Sequence, residues 1–277
     1  MASVQALLRE ASDMPTESPR RDAEVLLCHC LRRPRSWLYA WPEHEVDAAV
    51  AAQYRRLLGD RRTGAPVAYL LEQREFWSLP LRVTPATLIP RPDTEQLVVR
   101  ALELPVPPAA RVLDLGTGSG AIALALATER PAWQVFAVDA QADALAVARQ
   151  NIAALAPGRV QLLQSNWFAA LRGHRFDLVV ANPPYIAAGD THLDAGDLRF
   201  EPRGALVSGE QGLDDLTHIV SRAPAHLLAG GFLLLEHGRE QAAAVRRLLS
   251  AAGFQAIHTC RDLGGNDRVS EGQWRAV

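Results

Sequence analysis

The stretch RVLDLGTGSGAIALALATE, residues 111–129, decides the fold class of this chain. Residues 111–116 are mostly apolar and predict a short buried strand, whereas residues 119–129 have the composition of a helix. Glycines between the two elements allow the chain to turn tightly there. A strand that leads through a glycine-rich turn into a helix begins a βαβ unit, which favours an α/β fold with a parallel sheet.

The same alternation of strand and helix continues toward the C-terminus. Further strands are predicted at 133–139, 159–164, 176–182 and 230–238, and helices at 141–154, 212–228 and 239–251. Alternating units of this kind form a parallel sheet with right-handed crossovers and helices on both faces. The last two strands, at 254–260 and 267–275, are joined by too few residues for a crossover helix, so we expect an antiparallel terminal hairpin.

The part of the chain before this region has a helical pattern. Apolar residues recur at spacings of three and four, and Ser18 with Pro19 is typical of a helix start; the predicted helices are 3–12, 19–31 and 43–59. Residues 75–90 instead mix prolines with apolar residues, which predicts short extended pieces. We therefore divide the chain into a small helical-bundle domain, a hairpin linker and an α/β domain, with ranges 1–73, 74–90 and 91–277.

The composition excludes several classes of protein. Hydrophobic residues make up 48% of the 277 residues and charged residues 22%, which is ordinary for a globular chain with a packed core. The net charge of −2 argues against a chain held to nucleic acid or to an anionic membrane by bulk charge. With only three cysteines and no long apolar run, we expect a soluble cytoplasmic protein with no disulfide framework and no membrane span.

The run Gly116-Thr117-Gly118-Ser119-Gly120 is the first candidate binding site. It lies between a strand and a helix, at the sheet edge where open α/β folds bind ligands. Its glycine spacing differs from the pattern that seats a pyrophosphate, and it looks like the nucleotide loop of class I S-adenosylmethionine-dependent methyltransferases. Asp139 ends the next strand, where its carboxylate can accept hydrogen bonds from both ribose hydroxyls and can also cap the following helix.

Asn166 and Trp167 follow the third predicted strand of the sheet. In the methyltransferase class an acid often occupies the position of Asn166 and meets adenine. The amide oxygen of Asn166 can still accept from the adenine amino group, although without the help of a charge. Trp167 offers either an aromatic face to the nucleotide or a side chain for the core, and the sequence leaves both roles open.

The run Asn182-Pro183-Pro184-Tyr185 follows the fourth strand and is the candidate for the chemistry. Its two prolines stiffen the loop. The Asn182 side-chain oxygen and the Pro183 carbonyl can accept both hydrogens of a conjugated NH₂ group and direct its lone pair at a sulfonium methyl, with Tyr185 packed on the planar group. We expect an in-line attack that needs neither a metal nor a dedicated base.

Taken together, the chain resembles the release factor glutamine methyltransferases, the HemK/PrmC family. The resemblance covers essentially all residues and keeps the order of the family's segments. Those segments are ESPRRDAEVLL (17–27), REFWSLPL (74–81), LIPRPDTE (88–95), LDLGTGSGAIALALA (113–127), NPPYI (182–186), RFEP (199–202) and GFLLLEHG (231–238). The resemblance implies a Rossmann-like class I methyltransferase domain with a seven-stranded sheet, preceded by a helical domain that binds the substrate.

The resemblance also implies an activity and a set of residues. It implies methyl transfer from S-adenosylmethionine, with S-adenosylhomocysteine as product, to the side-chain nitrogen N5 of the glutamine in the Gly-Gly-Gln loop of class I peptide chain release factors. The family's cofactor contacts fall on Gly116, Thr117, Gly118, Ser119, Gly120, Asp139, Trp167 and Asn182. The site for the substrate glutamine falls on Asn182, Pro183, Pro184 and Tyr185.

Other polar residues are weaker candidates. Asp93 or Thr94 is a plausible helix cap, and the resemblance suggests that the segment around them closes over the cofactor. Glu201, Glu236 and His237 lie in or after strand ends, where packing or capping is the favoured role. Cys28 and Cys30 flank His29, but no second ligand pair completes a metal site.

Two other functions fit part of the pattern. The Asn-Pro-Pro-Tyr motif also suits a nucleic-acid methyltransferase acting on adenine N6 or cytosine N4, because those amines are conjugated too. The negative net charge argues against that alternative, and we expect no direct nucleic-acid binding. A non-catalytic cofactor-binding or scaffold protein is disfavoured by the intact acceptor motif.

Overall fold

The computed structural model of the chain describes residues 2–275 and falls into two compact units. The smaller unit comprises the chain up to Gln73 together with a short distant segment, Thr191–Phe200. The larger unit comprises Arg74–Asp190 and the chain from Glu201 onward. The predicted α/β domain runs without a break from residue 91, whereas the structure assigns Thr191–Phe200 to the helical unit.

The smaller unit is built mainly from short helices around a core that includes Leu26, Tyr54 and Leu58, all fully buried. Its elements are β1 (Ala2–Ser3), α1 (Val4–Arg9), α2 (Pro19–Leu31), α3 (Arg35–Ala40), β2 (Glu45–Val46), α4 (Ala48–Arg62) and α5 (Val67–Leu70). The helix that begins at Pro19 is confirmed, although the side chain of Ser18 makes no capping hydrogen bond.

The predicted helix 43–59 starts too early, and the structure shows why. Glu45–Val46 pairs antiparallel with Ala2–Ser3, so these residues are extended. The helix starts only after Asp47, whose side chain accepts a hydrogen bond from the backbone N–H of Ala49 at 2.8 Å. The sequence pattern also missed α3 and α5, which are too short to show a clear helical period.

Arg61 connects the distant segment to the helices of the smaller unit. Its guanidinium pairs with Asp22 of α2 and with Asp197, each at 2.8 Å, and it also donates to the carbonyl oxygens of Gly64 and Ala65. Only 11% of the Arg61 side chain is exposed, so solvent screens these contacts weakly. The pairing explains why the segment belongs to this unit.

The larger unit is a seven-stranded sheet with helices on both faces. Its elements are β3 (Gln73–Phe76), β4 (Leu79–Arg82), α6 (Glu95–Glu103), β5 (Arg111–Leu115), α7 (Ala121–Glu129), β6 (Gln134–Asp139), α8 (Ala142–Leu155), β7 (Val160–Gln164), β8 (Phe176–Ala181), α9 (Asp214–Arg222), β9 (Leu227–Glu236), α10 (Ala242–Ala251), β10 (Gln255–Arg261) and β11 (Asp267–Gln273). The strand order is β10-β11-β9-β8-β5-β6-β7. Strands β5 to β9 are parallel, and β11 is antiparallel to both β9 and β10, which confirms the predicted fold and terminal hairpin.

The sheet buries both of its faces. Alternate residues of β5 contribute to two different cores, with Val112 in one and Leu113 in the other. This explains why its sequence is almost continuously apolar. The chain leaves β5 in one direction toward β6 and crosses to the other side at β8, so a topological switch point lies at the carboxyl end of β5.

The strands β3 and β4 pair with each other and pack on the larger unit. Phe76 and Leu81 are buried in one of its two cores. Asn151 of α8 also binds the backbone of Arg82, as donor to its carbonyl at 2.9 Å and as acceptor from its N–H at 2.7 Å. The residues predicted as a hairpin linker therefore form part of the larger unit. Among the described residues, no helix is both long and apolar enough to cross a bilayer.

Candidate active site

A cavity of about 670 Å³ opens at the carboxyl ends of the four parallel strands β5, β6, β7 and β8. Most of the predicted site residues line it, namely Gly116, Thr117, Gly118, Ser119, Asp139, Trp167, Asn182 and Pro184. Gly120, Pro183 and Tyr185 are not among the described residues that line it. A cavity of this size is typical of sites for small molecules and cofactors.

The glycine loop is held to the sheet through its backbone. The N–H groups of Gly116 and Thr117 both donate to the carbonyl of Val138 in β6, each at 2.9 Å. Gly116 has a φ of 71°, and a Cβ on it would lie 3.3 Å from the ring of Trp167. Both the backbone conformation and the close contact with this ring therefore favour glycine at position 116.

Asp139 holds the loop and also faces the cavity. Its Oδ2 accepts from the N–H of Gly118 and its Oδ1 from the N–H of Gln141, both at 2.9 Å. The second bond stabilises the turn into α8, as the sequence suggests. Each carboxylate oxygen has more than one lone pair, so both can still accept from a ligand hydroxyl. The predicted contact of Asp139 with a ribose stays a prediction.

Asp114 is a fully buried carboxyl beneath the glycine loop. Its Oδ2 accepts from the hydroxyl of Thr117 at 2.6 Å and from the N–H of Ala123 at 3.2 Å, which joins the loop to α7. Its Oδ1 has no hydrogen-bond partner within residues 2–275. Burial raises the pKa of Asp114 to about 7, although the bonds from Thr117 and Ala123 oppose the shift.

Asn151, which was not predicted as a site residue, supports the loop from the other side. Its side chain is 3% exposed. Besides its two bonds to Arg82, its Nδ2 donates to the carbonyl of Ser119 at 2.8 Å. The one available sequence signal was an amide on the core-facing side of a predicted helix, where an unpaired polar group is costly.

Trp167 contacts both the cavity and the core. It lies just beyond β7 with a positive φ of 48°, and its indole N–H donates to Asp215 Oδ1 at 3.2 Å. Its ring lies close to Gly116 and packs against the core around Leu115. Both roles left open by the sequence are compatible with this position. Asn166 and Asp215 line the cavity as well, and Asp215 had not been predicted.

The Asn-Pro-Pro-Tyr corner presents Asn182 to the cavity directly after β8. The Nδ2 of Asn182 donates to the hydroxyl of Thr94 at 3.1 Å. Its Oδ1 accepts no hydrogen bond from any described residue, so this atom is available as an acceptor. Tyr185 does not line the cavity; its hydroxyl donates to Glu236 Oε1 at 3.2 Å, and its ring packs against the core.

Thr94 has a different role from the predicted one. Helix α6 begins at Glu95, directly after a 3₁₀ turn over Pro92–Thr94, but the Thr94 side chain makes no capping hydrogen bond. Thr94 therefore occupies the predicted cap position, but its side chain does not cap the helix. Its hydroxyl is turned instead toward Asn182, and the residue lines the cavity.

Glu236 is a further polar residue beside the Asn-Pro-Pro-Tyr corner, where it contacts Tyr185. It ends β9 and is 1% exposed. Its Oε2 has no hydrogen-bond partner within residues 2–275. Burial raises its pKa to about 7, whereas the polar side chain of Thr94, the charge of Arg268 and the bond from Tyr185 oppose the shift. Arg268 is itself paired with Asp262 at 3.1 Å and with Asp93 at 3.3 Å. The sequence pattern favours only packing or capping for Glu236.

Two distant segments meet at the rim of the cavity. The buried carboxylate of Glu201 accepts from the N–H of Ile89 at 2.9 Å and forms an ion pair with Arg91, which lines the cavity. This pair joins the segment LIPRPDTE to the segment RFEP. His237 is fully buried and bonded to Ser270 at 2.8 Å, in agreement with a packing role.

One cluster of possible metal ligands occurs in the part of the chain that the structure describes. It consists of His258, Cys260 and Glu271 on β10 and β11, none of which lines the cavity. Both oxygens of Glu271 already accept from the guanidinium of Arg100, at 2.6 and 2.7 Å. This ion pair opposes metal binding there. The predicted independence from metals stays a prediction.

Two parts of the chain match models of known protein families. Residues 1–71 match the family model of the PrmC N-terminal domain, and residues 93–202 match that of the Methyltransferase small domain. A protein of Pseudomonas aeruginosa named release factor glutamine methyltransferase is 52% identical over 274 residues, covering 99% of each chain. A protein of the same name from Escherichia coli is 51% identical over 273 residues, covering 98% of each.

Solved structures support the fold of the larger unit. A methyltransferase from Pyrococcus furiosus aligns with a TM-score of 0.54 and 18% identity, covering 72% of this chain and 90% of the other. A 16S rRNA N2 G1207 methyltransferase from Thermus thermophilus, solved with AdoMet and guanosine, aligns with a TM-score of 0.53 and 24% identity. The alignment covers 73% of this chain and 50% of the other. At these identities the likeness concerns the fold alone.

Proposed function

The chain belongs to the family of release factor glutamine methyltransferases, and on that basis we propose that it is an S-adenosylmethionine-dependent protein-(glutamine-N5) methyltransferase. Its substrate is the glutamine of the Gly-Gly-Gln loop in class I peptide chain release factors, and its product modulates translation termination. The observation that carries this proposal is the placement of Asn182. Its side-chain nitrogen is bound to Thr94, which leaves its oxygen as an acceptor at the cavity.

The cavity fits the cofactor in both size and chemistry. A volume of about 670 Å³ is ample for a nucleoside with an amino-acid chain. A Cβ on Gly118 would have no atom within 4 Å, so the loop backbone is open to a ligand at this point. The residues that would hold the cofactor are Gly116 to Gly120, Asp139, Trp167 and Asn182. When bound, S-adenosylmethionine supplies a methyl group on a positively charged sulfur.

The residues of the corner hold the substrate amide. The nitrogen of a glutamine side chain is a poor nucleophile because its lone pair is delocalised into the carbonyl. Asn182 Oδ1 and the Pro183 carbonyl accept its two N–H hydrogens and fix the orientation of the group. Both acceptors are dipoles that stabilise positive charge as it develops on the nitrogen. No residue is needed as a base, because the proton on the methylated nitrogen is acidic enough to leave to water.

The test uses the purified chain and labelled S-adenosylmethionine. We expect a class I release factor to be labelled and its Gly-Gly-Gln glutamine→Ala variant to stay unlabelled, with mass spectrometry locating one added methyl on that glutamine. Equal labelling of both proteins would contradict the proposal. DNA and RNA are offered in parallel, and label in nucleic acid alone would instead support the methylation of an exocyclic amine.

The partners follow from this substrate. We propose that the chain binds release factors directly, uses no metal, and acts in the cytoplasm, where release factors work. Addition of a metal chelator is then expected to leave turnover unchanged. A loss of turnover that zinc or magnesium restores would contradict the metal-free part of the proposal.

A further inference from the structure

The two prolines of the corner limit the ways in which it can be held in place. Proline has no backbone N–H, so Pro183 and Pro184 cannot donate hydrogen bonds to a neighbouring segment. One end of the corner, Asn182, directly follows the last residue of β8. Because the prolines between the ends are stiff, the direction of the acceptors depends on how firmly the other end, Tyr185, is held.

Gln241 holds the carbonyl of Tyr185. It lies directly before α10, and its Nε2 donates to the carbonyl of Tyr185 at 3.0 Å and to that of Gly212 at 3.1 Å. Its Oε1 accepts from the N–H of Gly238 at 2.9 Å. One side chain therefore joins three segments of the larger unit, namely the corner, the loop before α9 and the turn after β9.

The partners of Gln241 also determine which way its side-chain amide faces. A side-chain amide nitrogen carries two hydrogens, one for each of the two carbonyls, and the oxygen carries none. After a half-turn of the group, the oxygen would face two carbonyl oxygens and the nitrogen would face an N–H. The contacts at Gln241 therefore require a donor toward the corner and an acceptor toward Gly238.

Tyr185 is closely surrounded on other sides as well. A Cβ on Gly212 would collide with the carbonyl oxygen of Tyr185 and would lie 2.9 Å from Gln241 Nε2. The hydroxyl of Tyr185 donates to Glu236 Oε1 at 3.2 Å. The residue is therefore bound both at its carbonyl and at its hydroxyl, which leaves the corner little freedom to move.

We propose that Gln241 is a positioning residue, which holds the corner so that Asn182 Oδ1 and the Pro183 carbonyl face the amide of the substrate. Gln241 acts through the carbonyl of Tyr185 and takes no part in the bond changes. It is not among the described residues that line the cavity. The inference rests on the proposed function, because that reaction is what requires two acceptors in a fixed direction.

The first experiment measures kcat and KM for a release factor at saturating S-adenosylmethionine. Gln241→Glu keeps the shape of the side chain and its acceptor for Gly238, but places an oxygen against the two carbonyls. We expect kcat to fall about tenfold, whereas KM for the release factor and Kd for the cofactor stay unchanged. Gln241→Lys keeps a donor for the carbonyls and should retain more turnover than Gln241→Glu.

A matched control separates this effect from the general cost of a new charge. Gln273 also donates through its side-chain nitrogen to a backbone carbonyl, that of Gly230 at 3.0 Å, and does not line the cavity. We expect Gln273→Glu to have the kcat of the unaltered chain. Normal turnover in Gln241→Glu would overturn the inference, and so would equal losses in Gln241→Glu and Gln241→Lys.

A second variant disturbs the same carbonyl from another segment. Gly212→Ala brings a methyl group against the carbonyl oxygen of Tyr185 and leaves the side chain of Gln241 unchanged. If the position of this carbonyl controls the corner, Gly212→Ala should also lower kcat without changing the Kd for S-adenosylmethionine. Unchanged kcat in Gly212→Ala would contradict the inference.

A further measurement is independent of catalysis and so separates this inference from the proposed function. Tyr185 and Ile186 form the only Tyr-Ile pair in the sequence. A chain labelled with ¹³C at its tyrosine carbonyls and with ¹⁵N in its isoleucines therefore gives one correlated NMR signal, from the peptide bond between these two residues. The ¹³C frequency of a carbonyl changes when its hydrogen bond is lost.

We expect this signal to move in Gln241→Glu and to stay in place in Gln273→Glu. A signal that stays in place in Gln241→Glu would refute the inference even if the release factor is methylated. The expected shift in a chain that does not methylate release factors would refute only the proposed function.

Discussion

The two ends of the cavity are built in different ways. At the glycine-loop end, backbone groups hold the structure, as in the bonds from Gly116 and Thr117 to the carbonyl of Val138. At the corner end, side chains do so, in the bonds from Asn182 to the hydroxyl of Thr94 and from the hydroxyl of Tyr185 to Glu236. In the proposed function, the first end binds a ligand common to many enzymes, whereas the second orients one particular NH₂ group.

Because of this difference, we expect the two ends to tolerate different kinds of substitution. A site built from backbone groups depends on whether each residue can adopt the required φ and is small enough for the space around it. A side-chain-built site depends on the identity of each donor and acceptor, because one wrong partner can reverse the next. We therefore expect substitutions at the corner to change turnover, and substitutions at the loop to change cofactor affinity and stability.

The largest effect is expected at the corner itself. Asn182→Ala removes the acceptor and should lower kcat by about a hundredfold or more, since positioning and electrostatic stabilisation are both lost. Calorimetry with S-adenosylmethionine should show a smaller change in cofactor affinity. A variant with nearly normal kcat would show that the corner does not act as an acceptor.

The next effect tests the support of the glycine loop. Asn151→Ala removes the hydrogen bonds of this side chain to the carbonyl of Ser119 and to the backbone of Arg82, and we expect it to lower the free energy of unfolding by roughly 2 kcal/mol. Denaturant unfolding measures the change. Gln164→Ala is the control, because the amide it removes forms an exposed hydrogen bond to Ala140. Equal stability of the two variants would contradict the supporting role of Asn151.

A smaller effect separates backbone strain from contact with the tryptophan. Gly116→Ala must adopt a φ of 71° and crowd the ring of Trp167, so we expect the Kd for S-adenosylmethionine to rise about tenfold. Gly158→Ala imposes a φ of 74° with no atom near its Cβ, and it should lower Tm without changing that Kd. An unchanged Kd in Gly116→Ala would indicate that the loop adapts.

A last comparison concerns the buried carboxyls of the two ends. Burial raises the pKa of Asp114 from 3.8, and that of Glu236 from 4.5, to about 7 in each case. Each carboxyl therefore takes up a proton on folding, and its contribution to the free energy of unfolding declines as the pH rises from about 4 to about 7. Asp114→Asn and Glu236→Gln should each flatten part of this decline in pH-dependent denaturation. A slope equal to that of the unaltered chain would show that the carboxyl stays charged when buried.

The features predicted from sequence were those encoded over short distances. The order of strands and helices, the terminal hairpin and the placement of the glycine loop each follow from local periods and turn residues, and the structure confirms them. The helix predicted over 43–59 was wrong at its start because Val46 pairs with a strand at the other end of the unit. Local patterns do not reveal a partner that lies so far away in the chain.

The same limit explains what was missed in the site. Thr94 lies 88 positions from Asn182, and Glu236 lies 51 positions from Tyr185. In isolation, a threonine before a helix is typical of a cap and a carboxylate at a strand end is typical of packing. Only the folded chain brings these residues together. The one indication in the sequence is a polar residue at a buried position of a predicted strand or helix, because such a residue needs a hydrogen-bond partner.

The segment Thr191–Phe200 has a consequence for how this protein can be dissected. A fragment that starts at Arg74 would retain this segment but lose Arg61, the cation that Asp197 pairs with, and the carbonyl of Thr63 that Arg199 binds. The segment leaves the catalytic unit only six residues after Tyr185 and returns to it at Glu201. The two units are therefore interleaved in the sequence and not modules in tandem, so grafting the larger unit onto a different domain requires redesign of an internal loop as well as a new fusion point.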